Sequence, residues 1–323
     1  MFAVYCEKPD NENPLAALVV GERPEPVVPD GWVRVRVTHA SLNRHDIFTL
    51  RGITGQDTPI PFPMILGNDA SGVLDDGTPV VLYPLITGPD RAGDETLDLG
   101  WHVLSEKAQG TFADHVVVPR RNALPLPDGL SPLHASVMGT AWLTAYRMLA
   151  TKSGLRLGQT MLVQGATGGV STALIQLGRA SGMEVWATSR DARGLDLATG
   201  LGAHRGFLSG EPLPRKADAV FDSVGKATWA HSLASVKRGG TVVAMGMTTG
   251  RRVEMDLLPV IVNQLTVAGT IMGTLEEMRD LLGLVVGASI VPQIGDVLPM
   301  ERAGEGVRTM VEGRTRGKIV FTR

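Results

Sequence analysis

In "WVRVRV", from Trp32 to Val37, every second residue is valine. Alternation of period two predicts a half-buried strand. The first 120 residues continue in short alternating runs broken by proline. From about Ser131 the texture changes to helical segments, beginning with "SPLHASVMGTAWLTAYRML", joined to the short apolar runs "TMLVQ", "EVWAT", "DAVFD", "TVVAM" and "LTVAG". Helix-length spacing between such runs predicts a parallel sheet covered on both faces. Residues 125–287 therefore read as one doubly wound domain. The closing "VLPMERAGEGVRTMVEGRTRGKIVFTR" returns to a strand, helix, strand pattern and is expected to fold back onto the N-terminal part, so that 1–124 and 288–323 form the second domain.

Composition narrows the function. The chain has 323 residues, a formal net charge of -2 and 20% charged residues, which argues against the basic surface that nucleic acid or an anionic membrane requires. No apolar run reaches the length of a membrane span, "LLGLVVGASIV" being the longest, and the charged start "MFAVYCEKPD" does not resemble a signal peptide. The single cysteine, Cys6, excludes an intrachain disulfide framework. A cytoplasmic protein acting on a small molecule is the expectation.

The stretch "VQGATGGVSTALIQLGRA" sets Gly165, Gly168 and Gly169 between an apolar run and a helical pattern, with a second strand following. Strand, glycine turn, helix and strand in that order predict a dinucleotide site. Glycines let the backbone approach a pyrophosphate, whose charge is stabilised by the N–H groups and dipole of the helix start. Thr167, Gly168, Gly169 and Val170 are the candidate contacts. An NAD-specific fold places a carboxylate at the end of the second strand, whereas this strand ends with Ser189 and Arg190. Hydroxyl and guanidinium suit a 2′-phosphate, so NADP(H) is expected, with Asp191 the acidic alternative in a shifted alignment.

These motifs, with "ASLNRHDIFTLRG", "ILGNDASGV", "GTAWLTAYRML" and "GKIVFTR", are similar to the medium-chain dehydrogenase/reductase superfamily across nearly the whole chain. The resemblance is strongest to its zinc-independent, quinone oxidoreductase-like branch. It implies an α/β protein: a β-rich, GroES-like catalytic domain and a doubly wound Rossmann domain with a parallel sheet, facing one another across a cleft. The metal ligands of zinc-dependent relatives fall here at Asn43, Asn68 and Thr140, and Asp69 replaces a neighbouring glutamate. Amide and hydroxyl oxygens do not make a zinc site of the nitrogen and sulfur kind, and no metal is expected. The segment Gly88 to Gly110, which replaces a cysteine-rich lobe, carries no readable role.

Without a Lewis acid the accessible reaction is hydride transfer to an acceptor that is already electron-poor. The resemblance thus implies an NADPH-dependent reductase of a quinone or α,β-unsaturated carbonyl. An enoyl-thioester reductase and a non-catalytic NADPH-binding redox sensor are the alternatives. Asn43 is the first candidate for touching nicotinamide or substrate, His45 for delivering a proton, and Thr140 for reaching the carboxamide end of the cofactor. Family resemblance adds Val224, Gly246, Met247, Thr270, Met272 and Lys318 as cofactor contacts. The last strand of the sheet, in "NQLTVAGTIMG", is expected to pair across a two-fold axis in a homodimer.

Overall fold

The computed structural model describes residues 1–55, 58–88 and 93–323, which form two compact units: Met1–Thr140 with Thr274–Arg323, and Ala141–Gly273. The segments 125–140 and 274–287, assigned to the dinucleotide domain from the sequence, belong with the first unit instead. Packing explains the difference. Ser71 Oγ donates to the Pro132 carbonyl at 2.7 Å, and Leu282 and Gly283 line one groove with Leu124 and Pro127.

The first unit is built on the long strand Trp32–Leu42. Val35 and Val37 are fully buried while Arg36 between them is exposed, as the alternation requires. One edge of this strand pairs with Asp69–Leu74 and the other with His115–Pro119 and then Lys318–Thr322. The C-terminal strand lies antiparallel to the end of the long one, with Ile319 opposite Leu42, so the last residues return to the N-terminal part as the sequence predicts. Behind the sheet Phe112 meets Phe321 edge to face at 5.1 Å, packed with Ile47, Leu50 and Leu66. This core fixes the short helix Arg44–Leu50, whose first turn carries His45 and Asp46. Of the unread segment Gly88 to Gly110, residues 89–92 lie outside the described residues. The rest includes the strand His102–Val103, paired with Leu85–Ile86.

The second unit is a six-stranded, all-parallel sheet. Its order is Arg205–Leu208, Glu184–Ser189, Thr160–Val163, Ala217–Asp222, Val236–Ala244, Thr266–Gly269. The chain runs outward from Thr160–Val163 in one direction, then restarts on its other side, which puts the topological switch point beside the glycine turn. Five of these strands are legible as apolar runs. The sixth, Arg205–Leu208, is not: it is an edge strand with three exposed residues and no apolar run.

Candidate active site

Four chain segments meet around Asp69, a carboxylate with no solvent exposure at the start of strand Asp69–Leu74. Its Oδ2 accepts from Ser41 Oγ at 3.0 Å and from Asn43 Nδ2 at 2.8 Å, and its Oδ1 from Thr140 Oγ1 at 2.5 Å. Thr140 sits in a π-helical turn, Met138–Trp142, beside Gly139, where an added Cβ would lie 2.9 Å from Asp69 Oδ1. The charge is balanced by Lys318, whose Nζ is 3.6 Å from Oδ2 and donates to Asn43 Oδ1 at 2.5 Å and the Leu42 carbonyl at 2.8 Å. Lys318 is 3% exposed. Burial lowers its pKa, opposed by Asp69 and Asp46.

The structure brings Asn43, Thr140 and Lys318 together, but their polar groups serve one another. The Asn43 amide, read from the sequence as a donor to nicotinamide or substrate, gives its protons to Asp69 and the Ser41 carbonyl. Thr140 likewise gives its proton to Asp69, and Lys318 points inward. Zinc does not fit this arrangement, because an ammonium already faces the carboxylate and the amide oxygen is occupied by it. Among the described residues no group of three or more His, Cys, Asp or Glu could hold a metal ion.

Beside this cluster, Asp46 caps its own helix, accepting from the backbone N–H of Asn43 and of Gly67, both at 2.8 Å. Burial pushes its pKa up to about 6, against the pull of His45, these two N–H groups and Lys318. His45 Nε2 lies 3.1 Å from Glu106 Oε1. Burial disfavours the charged ring, but Glu106, Asp46 and Asn68 together outweigh it and raise the His45 pKa above its ordinary value. Glu106 was not singled out in the sequence. It lies 61 residues from its partner, in a segment with no motif, and no local signal marks it.

In the second unit, Gly165 takes a φ of +69° at the tip of strand Thr160–Val163, a conformation natural to glycine. Gly168 caps the helix Gly169–Ala180 without a side chain, leaving the first-turn N–H groups with no capping acceptor. A Cβ added at Gly168 would meet nothing closer than 3.8 Å, so folding alone does not demand glycine there. Glycine leaves the helix start open to an approaching anion. The turn is braced from below. Gln164, fully buried, bonds Thr188 Oγ1 at 2.7 Å, His231 Nδ1 at 2.9 Å and Ser232 Oγ at 3.1 Å, and Ser232 in turn donates to Asp222 at 2.7 Å.

The other cofactor candidates stand along the carboxyl ends of the same strands. Val224 packs over Gly165, where an added Cβ would come within 2.7 Å of its Cγ2. Gly246 leaves no room for a side chain, since its Cβ would fall 1.9 Å from the Ser223 carbonyl oxygen. Met247 is 40% exposed. Thr270 follows the last strand with its hydroxyl buried and without a hydrogen-bond partner among the described residues, and Met272 has a φ of +32°. Ser189 is buried, its Oγ accepting weakly from Asp191 N at 3.4 Å, whereas Arg190 is exposed. Asp191 caps the helix Ala192–Gly200, accepting from Gly194 N at 2.8 Å. The turn thus fits a dinucleotide through its backbone, and the strand tip offers a cation rather than an uncommitted carboxylate.

Comparison with known proteins agrees with this architecture. The model of the alcohol dehydrogenase GroES-like domain matches residues 29–128, and that of the zinc-binding dehydrogenase matches residues 169–287. A probable acrylyl-CoA reductase of Escherichia coli is 31% identical over 83% of this chain and 82% of its own. The quinone oxidoreductase of Mus musculus is 22% identical over 92% and 90%. A solved NAD-dependent alcohol dehydrogenase superposes with a TM-score of 0.92 at 30% identity, covering the whole of both chains. The chain belongs to the medium-chain dehydrogenase/reductase superfamily and is an oxidoreductase of that kind.

Proposed function

We propose that the protein is an NADPH-dependent, zinc-independent reductase of a quinone or an α,β-unsaturated carbonyl compound. The observation that carries this reading is the pairing of Lys318 with Asn43 and Asp69, which leaves no donor set for a Lewis-acid metal. The acceptor must then be activated by its own conjugation. Bound NADPH would supply the hydride. The N–H groups of Gly169 and Val170 would hold the pyrophosphate, and Arg190 would give charge-assisted hydrogen bonds to a 2′-phosphate. Asp191 is engaged in capping its helix, which weighs against its reading a ribose hydroxyl. The fixed charges of the Asp69 cluster orient its neighbourhood at no cost in reorganisation during the reaction, and His45 returns a proton to the reduced acceptor.

A second reading, an enoyl-thioester reductase, is favoured by the acrylyl-CoA reductase relative. Incubation with NADPH or NADH and a panel of quinones, enones and enoyl-CoA esters, followed at the nicotinamide absorbance, separates the two. Turnover of quinones or enones with NADPH is expected. Oxidation of simple alcohols that is lost with a chelator, with about one zinc per chain by elemental analysis, would overturn the reading. We also propose a homodimer through the edge strand Thr266–Gly269, because Leu258, Ile261 and Val267 are exposed on and beside it. Light scattering at micromolar concentration tests it, and a monomer contradicts it.

A further inference from the structure

We infer that Glu106 is the positioning residue of a proton-delivering pair, holding His45 as an imidazolium that completes the reduction, an assignment that rests on the reductase reading above. The two side chains come from the helix Arg44–Leu50 and from the turn after strand His102–Val103, and the ring keeps about a quarter of its surface open, at 24%, against 7% for the carboxylate.

Three buried polar atoms here have no hydrogen-bond partner among the described residues: His45 Nδ1, Asn68 Oδ1 and Glu106 Oε2. The groups around the ring favour its charged form. The Asn68 amide is oriented by its Nδ2, which donates to the Leu104 carbonyl at 2.6 Å, so its oxygen is the atom left over. An amide oxygen favours a ring nitrogen that carries a proton, and Glu106 Oε1 requires a proton on Nε2. The Glu106 contact places a proton on Nε2, and the joint pull of Glu106, Asp46 and Asn68 favours a second one on the ring, the imidazolium. Thr54 Oγ1 donates to the same Glu106 oxygen at 3.2 Å and helps hold it in place. Other charged groups act on the pair too. Asp46, on the helix of His45, adds negative potential at the ring, and His102 feels both Glu106 and Lys107.

The proton balance is then closed. A bound nicotinamide would supply hydride to the electron-poor carbon or quinone of the acceptor, whose displaced electron pair would move to its oxygen as an enolate or hydroquinone anion. The Nε2–H bond breaks and the proton passes to that anion, leaving a neutral ring protonated on Nδ1. Glu106 then faces the Nε2 lone pair, an unfavourable contact that draws a proton back from solvent. Asn43 and Thr140, which also bond a carboxylate, do not take this role because an amide and an alcohol are far weaker acids than an imidazolium.

The test combines ring titration with rate. The His45 resonance, assigned from a His45→Gln variant, is titrated by NMR in the wild type, Glu106→Gln and Glu106→Asp, and kcat is measured across pH in the same proteins. The expected wild-type kcat falls as pH rises through the raised His45 pKa. Glu106→Gln should move both midpoints down together. Each unit of movement lowers the protonated fraction up to tenfold at pH values above both midpoints, and rate should recover as pH falls. Glu106→Asp, which keeps the charge, should return the midpoints toward the wild type. Two results overturn the inference while leaving the reductase reading intact: turnover whose pH midpoint stays put in Glu106→Gln although the ring pKa drops, or His45→Gln retaining the wild-type kcat and profile. Wild-type protein that oxidises NADPH with none of the acceptors overturns the reading itself, and the proton role with it.

Discussion

The two units treat their polar groups in opposite ways. In the first, Asp69 receives bonds from Ser41, Asn43 and Thr140, and Lys318 stands 3.6 Å away. Four segments of chain close a buried network whose members satisfy one another. In the second, the helix behind Gly168 begins with N–H groups that no side chain caps, at the end of a sheet where phosphate is expected to bind. One arrangement is closed on itself and the other leaves its N–H donors open. Stability should therefore respond to changes in the first, and affinity to changes in the second.

The largest effect tests the first half of that contrast. Lys318→Met removes the only ammonium facing Asp69 within the cluster and leaves a fully buried carboxylate without its counter-charge. Removing one partner of a buried ion pair costs about 3–5 kcal/mol. Urea titration should show a loss of that size, and adding Asp69→Asn should recover part of it. A loss below about 1 kcal/mol would mean that the carboxylate is already neutralised by other means and that Lys318 and Asp69 do not form an ion pair.

The second effect belongs to the dinucleotide unit. Arg190→Ala should weaken NADPH binding about 10- to 100-fold, the range for a lost charge-assisted contact, and leave NADH binding unchanged. Fluorescence titration with both cofactors checks it. Because Arg190 is exposed at the strand tip, folding stability should barely move. Equal weakening of both cofactors would break the contrast, since it would mean that the side chain shapes the site as a whole.

What was legible in the sequence follows the same division. The glycine turn is local: strand, glycines and helix lie within one short stretch, with Gly165 at a positive φ and Gly168 at the helix cap. Val224 and Gly246, candidates by family position, stand at the turn's own end of the sheet. The Asp69 cluster was legible only as separate residues. Lys318 bonds Asn43 across 275 positions, and nothing in "GKIVF" or "SLNRHD" alone reveals that one amide will be saturated by the other motif. The same limit hid Glu106 behind His45. Residue identity survives translation from sequence to site, but the direction of a hydrogen bond does not.

The smallest effect decides who reads the ribose. Asp191 is the one carboxylate at the tip of the second strand, and an NAD-type reading would give it the 2′-hydroxyl. Its Oδ1 instead accepts from Gly194 N at the start of helix Ala192–Gly200. If capping is its work, Asp191→Ala should cost about 1 kcal/mol of stability, the usual value for a lost N-cap. It should leave NADH affinity unchanged, and NADPH affinity equal or slightly higher, because a negative charge next to the phosphate is gone. If it reads the ribose, the order reverses: NADH affinity falls by the value of a hydrogen bond to a charged group, about 1.5–3 kcal/mol. Calorimetric titration of both cofactors into the variant, beside its urea midpoint, measures each quantity separately. A drop in NADH affinity with no loss of stability would return Asp191 to the site and remove the ground for preferring NADPH.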